Sequence, residues 1–333
     1  MDVTLRSLRF RKEREESWRN LEELLDRAER NAPSSLTDDE MLAIPALYRA
    51  ALSSLSVARA TSLDQALIDY LEALSARAYF FVYGARTSLK ERAIRFFAID
   101  WPVAVKDIWR ETVVAALITF AGALTAYLLV SAEPDWYAAF VSTDMASGRD
   151  PSASTEYLRN TLYDKPDGAE TLSVFATFLF THNAQIAIFA FALGFAFCGP
   201  TSLLLAYNGC ALGAMFAVFA SRGLGFEFAG WILIHGVTEL LAVILAGAAG
   251  LKIGWSIAFP GDESRIAAAE RSGRQGAIVI VGVVVMLFIA GLLEGFGRQL
   301  INSDALRYTI AAVSAAIWFS YFYRGDRRGL DRP

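Results

Sequence analysis

The stretch TVVAALITFAGALTAYLLV, Thr112–Val130, runs nineteen residues without a charge. At about 1.5 Å per residue, a helix of that length comes close to crossing the ~30 Å of a hydrocarbon layer. Inside that layer a helix satisfies its own backbone N–H and C=O groups, so the stretch is read as a membrane span. Its upstream border is sharp. Met1 to Arg110 carries 17 Lys/Arg and 17 Asp/Glu, whereas beyond Thr112 the apolar runs are separated by short polar punctuation.

Working outward, the same criterion picks residues 171–198, 201–220, 229–257, 277–296 and 305–323, giving six spans within a membrane domain at 111–323. Two of these are longer than a span needs, so tilt, a break or an extension is expected in each. With 55% hydrophobic and 20% charged residues, the chain lies outside the range of ordinary soluble domains. The expected fold class is all-α: a polytopic helical membrane protein of about six transmembrane helices, behind an amino-terminal helical region.

Basic residues resist translocation, so their distribution orients the spans. The amino-terminal region, the loop bearing Lys252, Arg265, Arg271 and Arg274, and the basic tail at 324–333 are expected inside. The 131–170 segment has eight acidic and three basic residues, and is expected outside as an acidic external loop. Six spans put every loop on the side its charge favours, with both termini in the cytoplasm and the chain in the cell membrane. Residues 1–30 lack the apolar core of a cleavable signal.

Residues 1–87 read as a cytoplasmic helical bundle. Leu21, Leu24, Leu25 and Ala28 recur at helical spacing. Thr37-Asp-Asp-Glu40 and Ser62-Leu-Asp-Gln65 have the form of a capping box, in which two side chains satisfy the free N–H groups of a helix's first turn. Residues 88–110 differ. Phe96, Phe97, Trp101 and Trp109 alternate with Arg92, Arg95 and other cations, the composition of an amphipathic helix lying in the membrane interface with rings at headgroup depth. Pro102 would break that helix into two. The competing reading of this segment is an ordinary bundle helix.

Ionisable groups inside spans cost several kcal/mol or so, and each is a functional candidate for that reason. Here they are His182, His235, Glu239, Lys252 and Glu294, with Asn183 and Asn208 adding uncharged polarity. His235 and Glu239 lie four apart, on one helix face. Three readings stand side by side. The histidines and carboxylates can ligate a metal, although the spacing lacks an HExxH helix or any other tight metal pattern, so no metal is expected. They can carry protons or ions, a histidine beside a buried carboxylate being suited to that. Or they hold helices together by hydrogen bonds in a medium without water, the reading favoured on sequence.

Three GxxxG matches, Gly209/Gly213, Gly250/Gly254 and Gly291/Gly295, allow backbones to approach closely. Packing within one chain is favoured over packing between copies. The balanced charge gives no basic stripe for nucleic acid. Cys198 and Cys210 sit in apolar runs as small buried residues. No P-loop, GxSxG elbow or strand-borne GxGxxG is present, so neither an enzyme nor a cofactor is expected.

The core also resembles a known family. Asn183–Gly194, Asn208-Gly-Cys-Ala-Leu-Gly-Ala214, His235-Gly-Val-Thr-Glu-Leu240, Ala246–Gly254, Pro260-Gly261 and Gly291-Leu-Leu-Glu-Gly-Phe296 are similar, in order and spacing, to the stage II sporulation protein M family. The resemblance covers about Arg92 to Phe296. It implies a membrane scaffold, since the founding member gathers cell-wall-degrading enzymes during spore engulfment. Relatives encoded beside a MoxR-type AAA ATPase and DUF58-type or von Willebrand factor A-like proteins imply partners of those kinds. The long amino-terminal region and the extra span after Glu294 depart from the founder, so its sporulation role is not carried over. The expectation is a scaffold contacting membrane lipids, cytoplasmic or membrane partner proteins and a second copy of itself. A proton- or ion-coupled transporter or channel using His235, Glu239 and Glu294 is the alternative.

Overall fold

Thr37 does what its sequence context dictates: its hydroxyl accepts from the Glu40 N–H at 3.4 Å, and its own N–H donates to the Glu40 carboxylate at 2.9 Å. The structure is a computed structural model describing residues 3–31, 36–61, 63–83, 89–163, 181, 183–294 and 301–324. The cap starts the second helix of an amino-terminal bundle, α1 (Val3–Asn31), α2 (Asp38–Ala60) and α3 (Gln65–Tyr83). The second sequence cap begins at Ser62, outside the described residues.

Trp18, Leu21, Leu25, Ile44, Leu71 and their neighbours form the bundle's own core. Outside it, Arg77 reaches Asp26 at 2.6 Å and Glu29 at 2.9 Å, and Arg59 reaches Glu72 at 2.6 Å. Residues Met1–Lys90 form one compact unit and Glu91–Pro333 a second.

The second unit holds four of the chain's most apolar long helices, with short helices between them. α4 (Leu89–Arg95) passes through a π-turn at Phe96–Asp100 into α5 (Trp101–Asp107). Contrary to the sequence expectation, Pro102 does not split this segment. The Trp101 N–H bonds back to Phe96 O, five residues away, and that widened turn takes up the proline ring where a normal turn would clash. α6 (Trp109–Ala132) follows, then the short α7 (Tyr137–Phe140), α8 (Thr143–Ala146) and α9 (Thr155–Tyr163). The remaining helices are α10 (Asn183–Phe195), α11 (Gly199–Ser221), α12 (Gly225–Ala258), α13 (Arg265–Leu292) and α14 (Asp304–Tyr323).

Five helices among the described residues are long and apolar enough to cross a membrane: α2, α6, α11, α12 and α13. With no strand among the described residues, the fold is all-α and multi-pass. The last four coincide with expected spans. The expected span at 305–323 is α14, whose first turn carries Asp304 and Arg307. Most of 171–182 lies outside the described residues, and the described part of that expected span is the short α10. α2 falls in the region read as cytoplasmic, and its apolar face packs into the bundle core rather than standing alone.

Glycine sets the helix spacing. A Cβ at Gly209 would collide with the Thr119 carbonyl, one at Gly213 with the Ala123 carbonyl, and one at Gly122 with the Ala206 carbonyl, so α6 and α11 touch backbone to backbone. Gly250 and Gly194 do the same for α12 and α10. This is packing within one chain, driven by close contact where lipid supplies no hydrophobic drive.

α6 and α11 run side by side in the same direction, Thr119, Ala123 and Tyr127 facing Gly209, Gly213 and Phe216 in turn, while α12 runs opposite to them. The two ends of these helices differ. One end carries α7–α9; the other carries α5, the 196–198 turn, the 259–264 loop and the end of α14. There the Lys252 ammonium pairs with Glu111 at 2.9 Å, joining α12 to the first turn of α6, and the Tyr321 hydroxyl donates to Phe97 O.

Candidate functional site

Because α12 puts residues four apart on one face, His235 and Glu239 project together, about 15 Å from the helix start at a rise of about 1.5 Å per residue. α13 packs along α12, and Glu294, just past its end, comes to the same place. His235 Nε2 and Glu294 Oε1 are 3.6 Å apart, and one donor-type atom from each of His235, Glu239 and Glu294 lies within 4.8 Å of the others. His235 and Glu294 are only 6% and 5% exposed, and Glu239 is half-buried. Beside them the Trp318 indole of α14 donates to the buried Thr238 hydroxyl at 3.0 Å, so three helices converge here.

The described part of the acidic segment, up to Tyr163, builds a folded cap at this end. Tyr137, Val141, Ala146, Leu158 and Leu162 bury themselves against Ala126, Val130, Phe219, Phe228 and other side chains of α6, α11 and α12. Ser147 and Gly148 turn the chain with positive φ, and the Tyr157 hydroxyl closes the turn onto Ser147 O at 3.0 Å. The Tyr137 hydroxyl donates to Arg149 O at 2.7 Å. Burial raises its pKa to about 12. Arg149 donates to Ala146 O and Met145 O, at 3.0 and 3.1 Å. Burial lowers its pKa, opposed by Tyr137, Tyr157 and the charge of Glu294. The cap thus sets a cation within electrostatic reach of the carboxylate cluster.

A second cation fastens the cap. Arg307 of α14 is fully buried, donates to Leu162 O at 2.7 Å, Ile301 O at 2.9 Å and Asp304 at 3.1 Å, and lies over the Tyr163 ring at 4.9 Å. The Tyr163 hydroxyl donates to Asp304 at 2.9 Å, and Arg222 reaches Pro151 O at 2.9 Å.

Of the residues singled out on sequence, the structure therefore unites His235, Glu239 and Glu294. Asn183 and Asn208 lie half-buried on α10 and α11; His182 and Gly295 fall outside the described residues. Among the interface candidates, Phe97, Trp109, Arg92 and Arg95 are exposed, with Arg110 over the Trp109 ring at 5.5 Å. Trp101 is different from its expectation. It is 2% exposed, stacked on Phe96 and edge-on to Trp318, Tyr321 and Phe322, and a Cβ at Gly282 would strike its ring. Glycine at 282 opens the slot that takes the indole into the protein. Arg149 and Arg307 were not singled out on sequence. A charge in the first turn of an expected span was the available signal for Arg307; Arg149, in a loop without periodicity, gave none.

A family model described as Stage II sporulation protein M matches residues 113–297, and a second, described as a domain of unknown function (DUF8413), matches residues 8–84. The border between the two matches lies in the same stretch as the border between the two compact units. No curated protein and no solved structure matches the chain.

Proposed function

The chain belongs to the stage II sporulation protein M family, and from that premise we propose that it is a non-catalytic membrane assembly protein whose amino-terminal bundle recruits partner proteins at the cytoplasmic face of the cell membrane. The observation that carries this reading is the bundle itself, a compact unit with a hydrophobic core of its own. Its surface offers a contact patch: Tyr79, Phe80 and Tyr83 pack ring against ring while remaining 50%, 70% and 65% exposed. Clustered exposed aromatics are characteristic of the anchors of protein interfaces.

Charge supports the proposed orientation. Arg265, Arg271, Arg274 and Lys252 lie toward one end of the membrane helices and the acidic cap at the other, the pattern favoured by a cap outside and an amino terminus inside. By family resemblance, a MoxR-type ATPase or a DUF58-type protein is the kind of partner proposed. The test is affinity purification of the tagged full-length chain from native membranes in mild detergent, beside a Phe80→Glu/Tyr83→Glu variant. A partner recovered in fixed stoichiometry with the wild type and lost with the variant supports recruitment; the same proteins on both, at background level, rule it out.

The convergence of His235, Glu239 and Glu294 favours a second reading, a proton- or ion-coupled path through the membrane domain. Its test is pH-dependent flux in vesicles reconstituted with wild type and Glu239→Gln; unchanged flux in the variant excludes it.

A further inference from the structure

We infer that His235, Glu239 and Glu294 form a binding site for a divalent first-row transition-metal ion, of the Zn2+, Fe2+ or Mn2+ class, that pins the end of α13 to α12 beneath the cap. The donor geometry leads to it. The 3.6 Å between His235 Nε2 and Glu294 Oε1 is longer than a hydrogen bond. It suits two donors sharing one ion, because ligands about 2.1 Å from a tetrahedral metal stand about 3.4 Å from each other. The third donor, one helical turn along from His235, belongs to a set whose three atoms fall within 4.8 Å, and a side-chain adjustment of about 1 Å brings such a set to the spacing of ligands on one ion.

Charge points the same way. Two carboxylates drawn together in a buried site repel each other, and a nearby cation offsets that cost. Arg149 supplies one positive charge from the cap, within electrostatic reach of Glu294. A divalent ion among the three donors offsets the charge of the two carboxylates without a proton on either. One imidazole with two carboxylates is a mixed nitrogen and oxygen set, which suits Zn2+, Fe2+ or Mn2+ better than the all-oxygen preference of Ca2+ or Mg2+. Three protein donors leave at least one coordination position for water or another oxygen ligand. Binding requires neutral imidazole and ionised carboxylates, so protons held by the empty site leave as the ion enters.

The inference is independent of partner recruitment and is tested without it. Full-length protein, carrying a histidine-free tag in mild detergent, is stripped with EDTA and titrated with Zn2+ and with Co2+ as a spectroscopic stand-in. The wild type is expected to take up one ion per chain, develop the visible absorption of ligated Co2+, and melt at higher temperature with Zn2+. The near-isosteric Glu294→Gln and Glu239→Gln variants are expected to lose about tenfold or more in affinity, together with the Co2+ band. Glu263→Gln, at an exposed carboxylate paired with Arg271, keeps both. If Glu294→Gln fails to elute as a single species, His235→Asn is read in its place. No ion on the wild type, or equal binding by the wild type and the site variants, overturns the assignment.

Discussion

Replacing Arg307 by methionine keeps the apolar stem of its side chain and removes the guanidinium with its donors. The guanidinium is fully buried and holds the carbonyls of Leu162 and Ile301 and the carboxylate of Asp304. Each hydrogen bond from a charged donor contributes about 1.5–3 kcal/mol, but desolvating the guanidinium cancels a large part of that sum. Removing one side of a buried charged network typically costs about 3–5 kcal/mol, because the abandoned acceptors stay buried. Methionine's apolar stem recovers packing, which places Arg307→Met toward the lower end, about 3 kcal/mol. For a unit of this size that corresponds to a fall in Tm on the order of 10 °C. Since the bonds run from α14 to the end of α9, the loss is expected first in the cap. Hydrogen exchange in detergent should show residues 137–163 opening before α11 or α12, while the exposed Arg159→Ala stays at wild type. A Tm for Arg307→Met no lower than that of Arg159→Ala, with cap protection unchanged, would refute the fastening role.

Other outcomes follow from the same geometry. Gly213→Ala puts a methyl into the Ala123 carbonyl and is expected to destabilise by about 1–3 kcal/mol in detergent melting. Gly273→Ala, with open space around it, is expected to be neutral or stabilising by up to about 1 kcal/mol through helix propensity; the two moving together would contradict the backbone-contact argument. Trp101→Ala empties the aromatic slot opposite Gly282 and should cost about 3–5 kcal/mol, whereas Trp101→Phe should retain most of that. Tyr137 is neutral when folded up to about pH 12, against an ordinary phenol value near 10. Unfolding therefore releases a proton between those values, so stability is full below pH 10 and is lost as pH rises toward 12, by up to about 1.4 kcal/mol per unit. Melting of Tyr137→Phe across that window should lack this part of the slope; an identical slope would place the titration elsewhere.

What was legible in the sequence depended on period and length. Residues 112–130 fixed α6 because nineteen uncharged residues leave the backbone no other way to satisfy itself in lipid. The Thr37–Glu40 cap was legible because its partners are local. The cap over the site was not, since residues 131–163 show no period and their folding depends on contacts with α6, α11, α12 and α14 that are distant in sequence. His235 and Glu239 were recognisable as a pair from one helical turn, but the arrival of Glu294 beside them depends on the α12–α13 packing. That is why spacing alone argued against a metal and three-dimensional geometry argues for one. Trp101 was misplaced for a similar reason: its neighbours suggested an interface ring, and only the slot at Gly282, some 180 residues on, takes it inside.

The most direct measurement of the recruitment claim is site-specific photocrosslinking in intact cells, with a photoreactive phenylalanine at position 80 of the otherwise unchanged chain and, separately, at position 128 on the exposed apolar face of α6. Position 80 should give a discrete protein adduct and position 128 lipid adducts. A position 80 that yields no protein adduct, or the same adducts as position 128, would contradict the claim that the amino-terminal bundle is a docking unit.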